Sequence, residues 1–241
     1  MILIFVFGLF FALEGKQFKG IERLPDSYDM RKARPGVLGP IRNHERCNAY
    51  WAFAASTVFT ARYNIKCHAN ITHSVQDLIS CDLSDNACIR GNGKDTLDWI
   101  QKVGITDERC FIYTSWTGHV TKCIQMCHNG SNIVRHKYSN ITYYNSPDDA
   151  MYSVMNEGPV VMNFPVDSTF EKYSGGVYAP KNAQFVEVRE AALIGWGNEN
   201  GQRYFIGQAH YGEKWGEGGY FRLSRNLSND MDFYAGTPKC N

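Results

Sequence analysis

Two histidines and a tyrosine are the side chains, outside the cysteines, that could carry acid–base or nucleophilic chemistry. His44 stands six residues before Tyr50, and His210 lies far along the chain. A tyrosine phenol is the nucleophile in some hydrolases, but its reference pKa of about 10 keeps it neutral at physiological pH. A histidine could serve as the base that activates it. One hypothesis is a hydrolytic site built from these three side chains, which requires a fold that brings them together. Cys47 is the alternative nucleophile.

The residues around Tyr50 form a recognisable motif. Residues 46–53 read Arg-Cys-Asn-Ala-Tyr-Trp-Ala-Phe. This segment resembles the nucleophile motif of papain-family cysteine proteases, Cys-Gly-Ser-Cys-Trp-Ala-Phe, whose second cysteine attacks the peptide carbonyl. Cys47 matches the first cysteine, whereas Tyr50 stands at the position of the second. The resemblance therefore implies a protease fold in which a phenol replaces the attacking thiolate.

The other catalytic positions of the family also carry different residues. The family's base is a histidine in a strand that ends in Gly-Trp-Gly, and residues 188–197 here read Val-Arg-Glu-Ala-Ala-Leu-Ile-Gly-Trp-Gly. An ungapped count places Arg189 at the histidine position, and one deletion places Glu190 there. The asparagine that orients the base corresponds to Ala209. The glutamine that stabilises the oxyanion corresponds to His44.

These replacements remove every part of thiol catalysis. Such catalysis needs a thiolate, a base that forms it and donors for the developing oxyanion. Arg189 is permanently charged and cannot accept a proton. Because catalytic residues act as a unit, each loss is severe. The sequence thus predicts a catalytically inactive homologue of cathepsin B-like peptidases, which acts by binding a peptide, an inhibitor or a surface partner. The alternative is residual or rebuilt peptidase or hydrolase activity in the same cleft.

The rim of the implied cleft departs from the family pattern as well. The family has Cys-Asn-Gly-Gly there, which lets a peptide backbone approach closely, and this chain has Cys-Ile-Arg-Gly over residues 88–91. Arg90 places a long charged side chain where close approach is needed. Gly91 and Trp215 are the other rim positions that the resemblance implies. We expect this rim to be narrow.

The N-terminal residues predict export from the cytoplasm. Residues 1–13 are almost purely apolar, too short for a bilayer span and typical of a secretory signal. We divide the chain into a signal peptide at 1–15, a short segment at 16–23 with no room for a propeptide, and a papain-like, cathepsin B-type domain at 24–241. The expected location is extracellular or a lysosome-like lumen.

Eight cysteines in a secreted chain predict disulfides. The resemblance to cathepsin B-like members implies three pairs: Cys47–Cys88, Cys81–Cys123 and Cys110–Cys127. Cys67 and Cys240 remain, either paired with each other or free. Four Asn-X-Ser/Thr sequons predict a glycoprotein. Their acceptors are Asn70, Asn129, Asn140 and Asn226.

Composition excludes several classes of function. The net charge is +1, and there is no long run of one sign, so nothing indicates nucleic acid or a membrane surface as a partner. The histidines are scattered, and the Cys-x-x-x-Cys at Cys123 and Cys127 is better explained by disulfides than by a metal. We expect a monomer without metal or cofactor, whose partner is an unidentified peptide or protein.

The order of predicted elements indicates an α+β fold. Helices are expected first, over 50–66, 74–80, from Asp95 to 104, and from Ser146 to 158. Strands follow, over 160–164, 176–178, 187–196, 204–209 and 220–223. This is the two-lobed papain-like plan, with a helical N-terminal lobe and a β-barrel-like C-terminal lobe. The resemblance implies that His44 and His210 lie beside the family's catalytic positions, and so near Tyr50.

Overall fold

The computed structural model describes residues 23–181 and 187–240. The predicted signal peptide and residues 16–22 lie outside this range. No helix in the described part of the chain is long and apolar enough to cross a bilayer.

The described residues form five α-helices, four of them before residue 103. They are α1 (Met30–Ala33), α2 (Tyr50–Cys67), α3 (Val75–Cys81), α4 (Gly93–Lys102) and α5 (Pro147–Asn156). Helix α2 is buried at every residue from Trp51 to Tyr63, including four polar residues: Ser56, Thr57, Thr60 and Arg62. It ends at His68, whose left-handed backbone (φ 51°) stops the helix. The helix packs against α4 and the main sheet, so its first residue, Tyr50, is held where the two halves of the molecule meet.

The strands form one large sheet and one small one. They are β1 (Tyr28–Asp29), β2 (Ile105–Thr106), β3 (Arg135–His136), β4 (Tyr138–Tyr144), β5 (Val160–Val166), β6 (Val177–Tyr178), β7 (Glu187–Glu199), β8 (Gln202–Gln208), β9 (Tyr220–Ser224) and β10 (Asp232–Pro238). The large sheet has the order β4-β10-β5-β7-β8-β9-β6, with β1 also paired to β7, and β2 pairs with β3. All pairs are antiparallel except β6 with β9. The predicted α+β, papain-like class is confirmed; in the described residues the path does not close on itself, so the barrel-like form stays a prediction.

Helix starts follow the predicted caps in two cases and differ in one. The Ser74 and Ser146 side chains each accept the backbone N–H three residues on, at the starts of α3 and α5. Helix α4, however, begins two residues before the predicted cap, Asp95. Its N-cap is Asn92, whose side chain accepts the N–H of Lys94. Asparagine caps a helix as well as aspartate does, so the pattern alone did not distinguish them.

Five of the described strands were missing from the sequence prediction: the two-residue strands β1, β2 and β3, and the longer strands β4 and β10. β4 and β10 pair with each other over most of their length, and β10 pairs with β5 on its other side. β10 is buried at Tyr234 and Ala235, but small residues and a glycine interrupt its apolar run. Such a pattern is weak evidence for a strand, and only the pairing makes it one.

Four disulfides link the cysteines. The three pairs that the resemblance implied are confirmed, and Cys67 pairs with Cys240 across 173 residues. The last pair ties the end of α2 to the C-terminal strand. The sequence had left Cys67 and Cys240 either paired with each other or free, and the structure pairs them.

Candidate functional site

Tyr50 and Arg189 face each other across the junction between α2 and the sheet. The Arg189 guanidinium carbon lies 4.8 Å from the centroid of the Tyr50 ring, a cation–π geometry. Arg189 is also paired with Glu187 at 2.7 Å and is hydrogen-bonded to Tyr211. The guanidinium therefore covers the tyrosine and is itself fixed from two other sides.

The Tyr50 phenol is in a poor state to act as a nucleophile. Burial raises the pKa of Tyr50 above its ordinary value of 10.0, although the positive charge of Arg189 opposes this. Ala49, the N-cap of α2, provides no side-chain hydrogen bond. In the described part of the chain, Tyr50 makes no hydrogen bond with His44 or His210. The three side chains of the rebuilt-site hypothesis are brought together, but without the contact that would activate the phenol.

Arg189 and Glu190 lie on opposite faces of strand β7, because successive side chains of a strand point to opposite faces. The Glu190 carboxylate accepts the backbone N–H of Gly93 at the start of α4 (3.0 Å). A Cβ at position 93 would overlap this carboxylate and the Tyr234 hydroxyl. Of the two residues that sequence counting left open, Arg189 is thus the one whose charged group covers Tyr50. Glu190 instead connects the sheet to α4.

Burial also changes the acid–base behaviour of Glu190. Only 5% of the residue is exposed, and burial raises its pKa to about 7. The carboxylate lies beside the N-terminus of α4, where the helix dipole favours negative charge, and the Gly93 hydrogen bond lowers the pKa in part. The sequence pointed to Glu190 only as an alternative occupant of the histidine position; its raised pKa was not evident there, because the burial that causes it comes from distant segments.

A small cavity lies behind Tyr50. Its volume is about 10 Å³, room for about one water molecule. Its walls are His44, Tyr50, Phe164, Phe170, Arg189, Glu190, Ala191, Ala209, His210, Tyr211 and Phe221. The predicted catalytic positions His44, Tyr50, Arg189 and Ala209 therefore line one cavity. It is far too small for a substrate side chain.

The two histidines of this cavity are buried and neutral. The backbone N–H of His44 donates to the carbonyl of His210 (2.9 Å), and the His210 ring packs on Phe53 with centroids 5.3 Å apart. Burial lowers the pKa of His44 below its ordinary value and that of His210 well below it. Neither ring nitrogen of His210 has a hydrogen-bond partner among the described residues.

The burial of His210 predicts a pH-dependent stability. Its folded-state pKa is depressed, so folding favours the neutral ring; this contribution is complete above the unfolded pKa of about 6.5 and is lost as the pH falls below it. Between about pH 7 and about pH 5 the natural chain should lose about 2 kcal/mol more unfolding free energy than His210→Leu does. Urea unfolding followed by circular dichroism at both pH values measures this difference.

The pH dependence of the natural chain must be compared with that of His210→Leu, because the raised pKa of Glu190 changes the unfolding free energy in the opposite direction. Its raised pKa stabilises the folded chain at acid pH, and this contribution is lost as the pH rises through about 7. His119→Leu, at an exposed position, is the matched control and should keep the pH dependence of the natural chain. Equal pH dependence in His210→Leu and the natural chain would contradict the prediction.

Cys47 is not available as a nucleophile. It is completely buried and bonded to Cys88. The sequence contains eight cysteines, and all eight are in the four disulfides. The chain in this state therefore has no thiol, and a disulfide sulfur cannot form the thiolate that attacks a carbonyl.

The three predicted rim residues differ in what they can contribute. Arg90 is exposed. A side chain at Gly91 would overlap the ring of Trp51, so the glycine serves internal packing. Trp215 stacks on Tyr211 with centroids 4.9 Å apart and donates its indole N–H to the carbonyl of Glu171. Only Arg90 is thus left as a freely accessible rim side chain.

A further contact crosses between α4 and the sheet. Lys94 forms an ion pair with Asp232 at 2.9 Å, and its ammonium lies 5.8 Å from the centroid of the Tyr234 ring. Together with the Glu190–Gly93 hydrogen bond, this pair joins the two sides of the molecule near the cleft. Sequence reasoning missed Glu187, Gly93 and Lys94. Nothing in the local sequence marks them, because their partners are far away along the chain.

Comparisons with known proteins agree with this architecture. The model of the family described as "Papain family cysteine protease" matches residues 24–236. Cathepsin B of Dictyostelium discoideum is 28% identical over 236 residues, which cover 90% of this chain and 75% of the relative. Cathepsin B-like CP3 of Giardia intestinalis is 30% identical, over 83% of this chain and 69% of the relative.

A solved structure extends the likeness to three dimensions. The structure of proCathepsin B S9 from Trypanosoma congolense superposes with a TM-score of 0.82 at 24% identity, covering 90% of this chain and 78% of that one. At this identity the superposition speaks for the fold alone. With the family match over nearly the whole described range, we conclude that the chain belongs to the papain family of cysteine proteases and is similar to its cathepsin B-like members.

Proposed function

We propose that this chain is a catalytically inactive member of its family and acts by binding another molecule. The observation that carries the proposal is the absence of a thiol: all eight cysteines are in disulfides, and Tyr50 stands at the start of the central helix, where the family motif has its nucleophile. Without a thiolate, the reaction of this family has no attacking group.

The surroundings of Tyr50 support the same conclusion. Arg189 lies over Tyr50, as the family's base would lie over its nucleophile, but a guanidinium cannot take a proton. Ala209 stands where the orienting asparagine is expected and offers no polar side-chain atom. His44 stands at the oxyanion position, and its ring nitrogen Nδ1 is already hydrogen-bonded to the carbonyl of Glu45.

The closed cleft supports binding rather than turnover. The cavity beside Tyr50 has a volume of about 10 Å³, whereas ligand pockets are typically about 300–1,000 Å³. The Glu190–Gly93 hydrogen bond and the Lys94–Asp232 ion pair connect the two sides near it. A partner peptide or protein would therefore bind at the outer surface, with exposed Arg90 at its edge. Four disulfides favour an oxidising compartment, either outside the cell or in a lysosome-like lumen.

The direct test is peptide hydrolysis by the purified, disulfide-intact chain. We expect no turnover of peptidyl substrates of cathepsin-type enzymes above a heat-denatured control, because nucleophile, base and orienting residue are all absent. Thiol-directed epoxide inhibitors should label nothing, and intact-mass analysis after alkylation without reduction should show an unmodified chain.

The variant Tyr50→Phe separates the proposal from its alternative. Phenylalanine keeps the ring that Arg189 covers and removes the hydroxyl. If the natural chain hydrolyses a substrate and Tyr50→Phe does not, the site has been rebuilt around the phenol and the proposal is wrong. Alkylation of Cys47 in the folded chain would also contradict it, because that sulfur would then be free to attack.

A further inference from the structure

Among the described residues, strand β4 forms a long edge of the large sheet with no strand on its outer side, although helix α4 packs near it. It is the first strand in the sheet order and pairs with β10 on one side only. It is seven residues long, whereas β6 at the other end of the order has two. An uncovered edge presents unpaired backbone groups to other chains, and the hazard grows with its length.

The composition of β4 makes this edge unusually open to pairing with other molecules. The strand reads Tyr-Ser-Asn-Ile-Thr-Tyr-Tyr, with no charge and no proline and with four β-branched or aromatic residues after its sequon asparagine. Tyr143 is 50% exposed. Gln101 of α4 donates to the carbonyl of Ser139 at 3.4 Å, which engages one edge group near the end. Lysine, proline or a bulge is the usual protection. The register of β4 with β10 shifts once, at Ser139, so only the first end of the strand has such an irregularity. The uncharged, β-prone residues from Asn140 to Tyr144 are the kind that aggregates.

The sequon Asn140-Ile141-Thr142 lies in the middle of this strand. Asn140 and Thr142 are both exposed and share one face, because they are two residues apart in a strand. The side-chain amide oxygen Oδ1 of Asn140 accepts a hydrogen bond from the Ser139 hydroxyl (3.2 Å). Its amide nitrogen makes no hydrogen bond in the part of the chain that the structure describes.

We infer that Asn140 carries an N-linked glycan and that this glycan protects the β4 edge from pairing with other chains. A bulky, strongly hydrated group at the centre of the strand blocks the approach of another strand. It replaces the charged side chains that β4 lacks. The inference goes beyond the proposed function, since it holds whether or not the cleft is active.

The modification is a glycosyl transfer from a lipid-linked pyrophosphate oligosaccharide, carried out by the transferase of the secretory pathway. The Asn140 side-chain nitrogen forms a bond to the anomeric carbon of the sugar as the bond from that carbon to the pyrophosphate oxygen breaks. The pyrophosphate leaves with the electron pair, and the amide nitrogen gives up one proton. No oxidation or reduction is involved.

Three substitutions at Thr142 distinguish the effect of losing the glycan from the effect of changing residue 142 itself. Thr142→Ser keeps the sequon, Thr142→Ala removes it, and Thr142→Lys removes it but places a charge on the same edge. In a eukaryotic secretory host, peptide mapping should find a glycan on Asn140 in the natural chain and in Thr142→Ser, and its loss in the other two. After thermal unfolding has shown that all four chains fold, light scattering during incubation at high concentration measures aggregation.

We expect Thr142→Ala to aggregate faster than the natural chain, and Thr142→Lys to remain as monomeric as Thr142→Ser. Asn226→Gln removes an exposed sequon that is not on an edge strand and should not aggregate. An unmodified Asn140 in the secreted natural chain would overturn the inference. So would equal aggregation of Thr142→Ala and Thr142→Lys, or a Thr142→Ala chain that stays monomeric. None of these results bears on peptide hydrolysis, so they leave the proposed function untouched.

Discussion

A chain that carries Tyr50→Cys, Arg189→His and Ala209→Asn together is expected to hydrolyse peptidyl substrates that the natural chain leaves intact. The cysteine would start α2, where the helix dipole favours a thiolate. The histidine would replace the guanidinium that now lies 4.8 Å from the Tyr50 ring centroid and would supply the missing base. Each single substitution should remain inactive, because the three groups act as a unit. Initial rates of a fluorogenic peptide measure the effect.

The triple variant should still be a weak enzyme. Arg90 remains at the rim, His44 remains at the oxyanion position, and Glu190 still links β7 to α4. Adding Arg90→Gly should lower KM more than it raises kcat, because it restores uniform binding of the peptide backbone rather than chemistry. Arg109→Gly, at an exposed site away from Tyr50, is the control. If the triple variant already matches an ordinary relative, the cleft was never obstructed, and peptide capture by the natural chain becomes the leading idea.

Arg62→Met is expected to cost about 3–5 kcal/mol of unfolding free energy, because it leaves several buried acceptors unpaired at about 1–3 kcal/mol each. Arg62 lies in the middle of α2 and only 2% of it is exposed. Its guanidinium donates to the carbonyls of Pro159 (2.7 Å), Gly158 (3.2 Å) and Gly236 (3.4 Å). It also pairs with Glu157 at 3.0 Å. Methionine fills a similar volume but leaves these acceptors without donors, and an orphaned buried acceptor is costly.

Urea unfolding at neutral pH with the disulfides intact measures this loss. Arg62→Lys should fall between the natural chain and Arg62→Met, because an ammonium keeps the charge but cannot reproduce the fork of the guanidinium. Arg109→Met is the control: Arg109 also pairs with an acidic residue, Asp107, but 83% of its side chain is exposed. The urea midpoint of Arg109→Met should equal that of the natural chain. A similar loss in both methionine variants would show that the Arg62 network is not what stabilises α2.

Local sequence determined the parts of this protein that local chemistry can specify. The apolar stretch after Tyr50 predicted the central helix, observed at Tyr50–Cys67. Ser74 and Ser146 predicted the starts of α3 and α5, because a serine side chain satisfies a free N–H of the first turn whatever the rest of the fold does. The motif around Tyr50 indicated the family, and with it three of the four disulfides.

Strand register decided what the sequence had left open at the site. Counting residues could not say whether Arg189 or Glu190 belongs opposite Tyr50. In β7, a shift of one residue exchanges the two faces, and the pairing of Asn163 with Glu190 and of Phe164 with Arg189 fixes it. With that register, Arg189 covers Tyr50 and Glu190 is directed to Gly93.

Other decisions required contacts between distant segments. Cys67 forms a disulfide with Cys240 across 173 residues, and the Glu190 carboxylate accepts the Gly93 N–H. Strand β4 lies at the edge because β10 pairs with it on one side. Each of these contacts joins residues that are far apart in the sequence, so it depends on the tertiary fold. Side-chain periodicity reports which face of an element is buried, but it carries no information about which distant segment buries it. The family and the helices could therefore be inferred from residues alone, whereas the contacts that join α4 to the sheet near Tyr50 were decided by the tertiary structure.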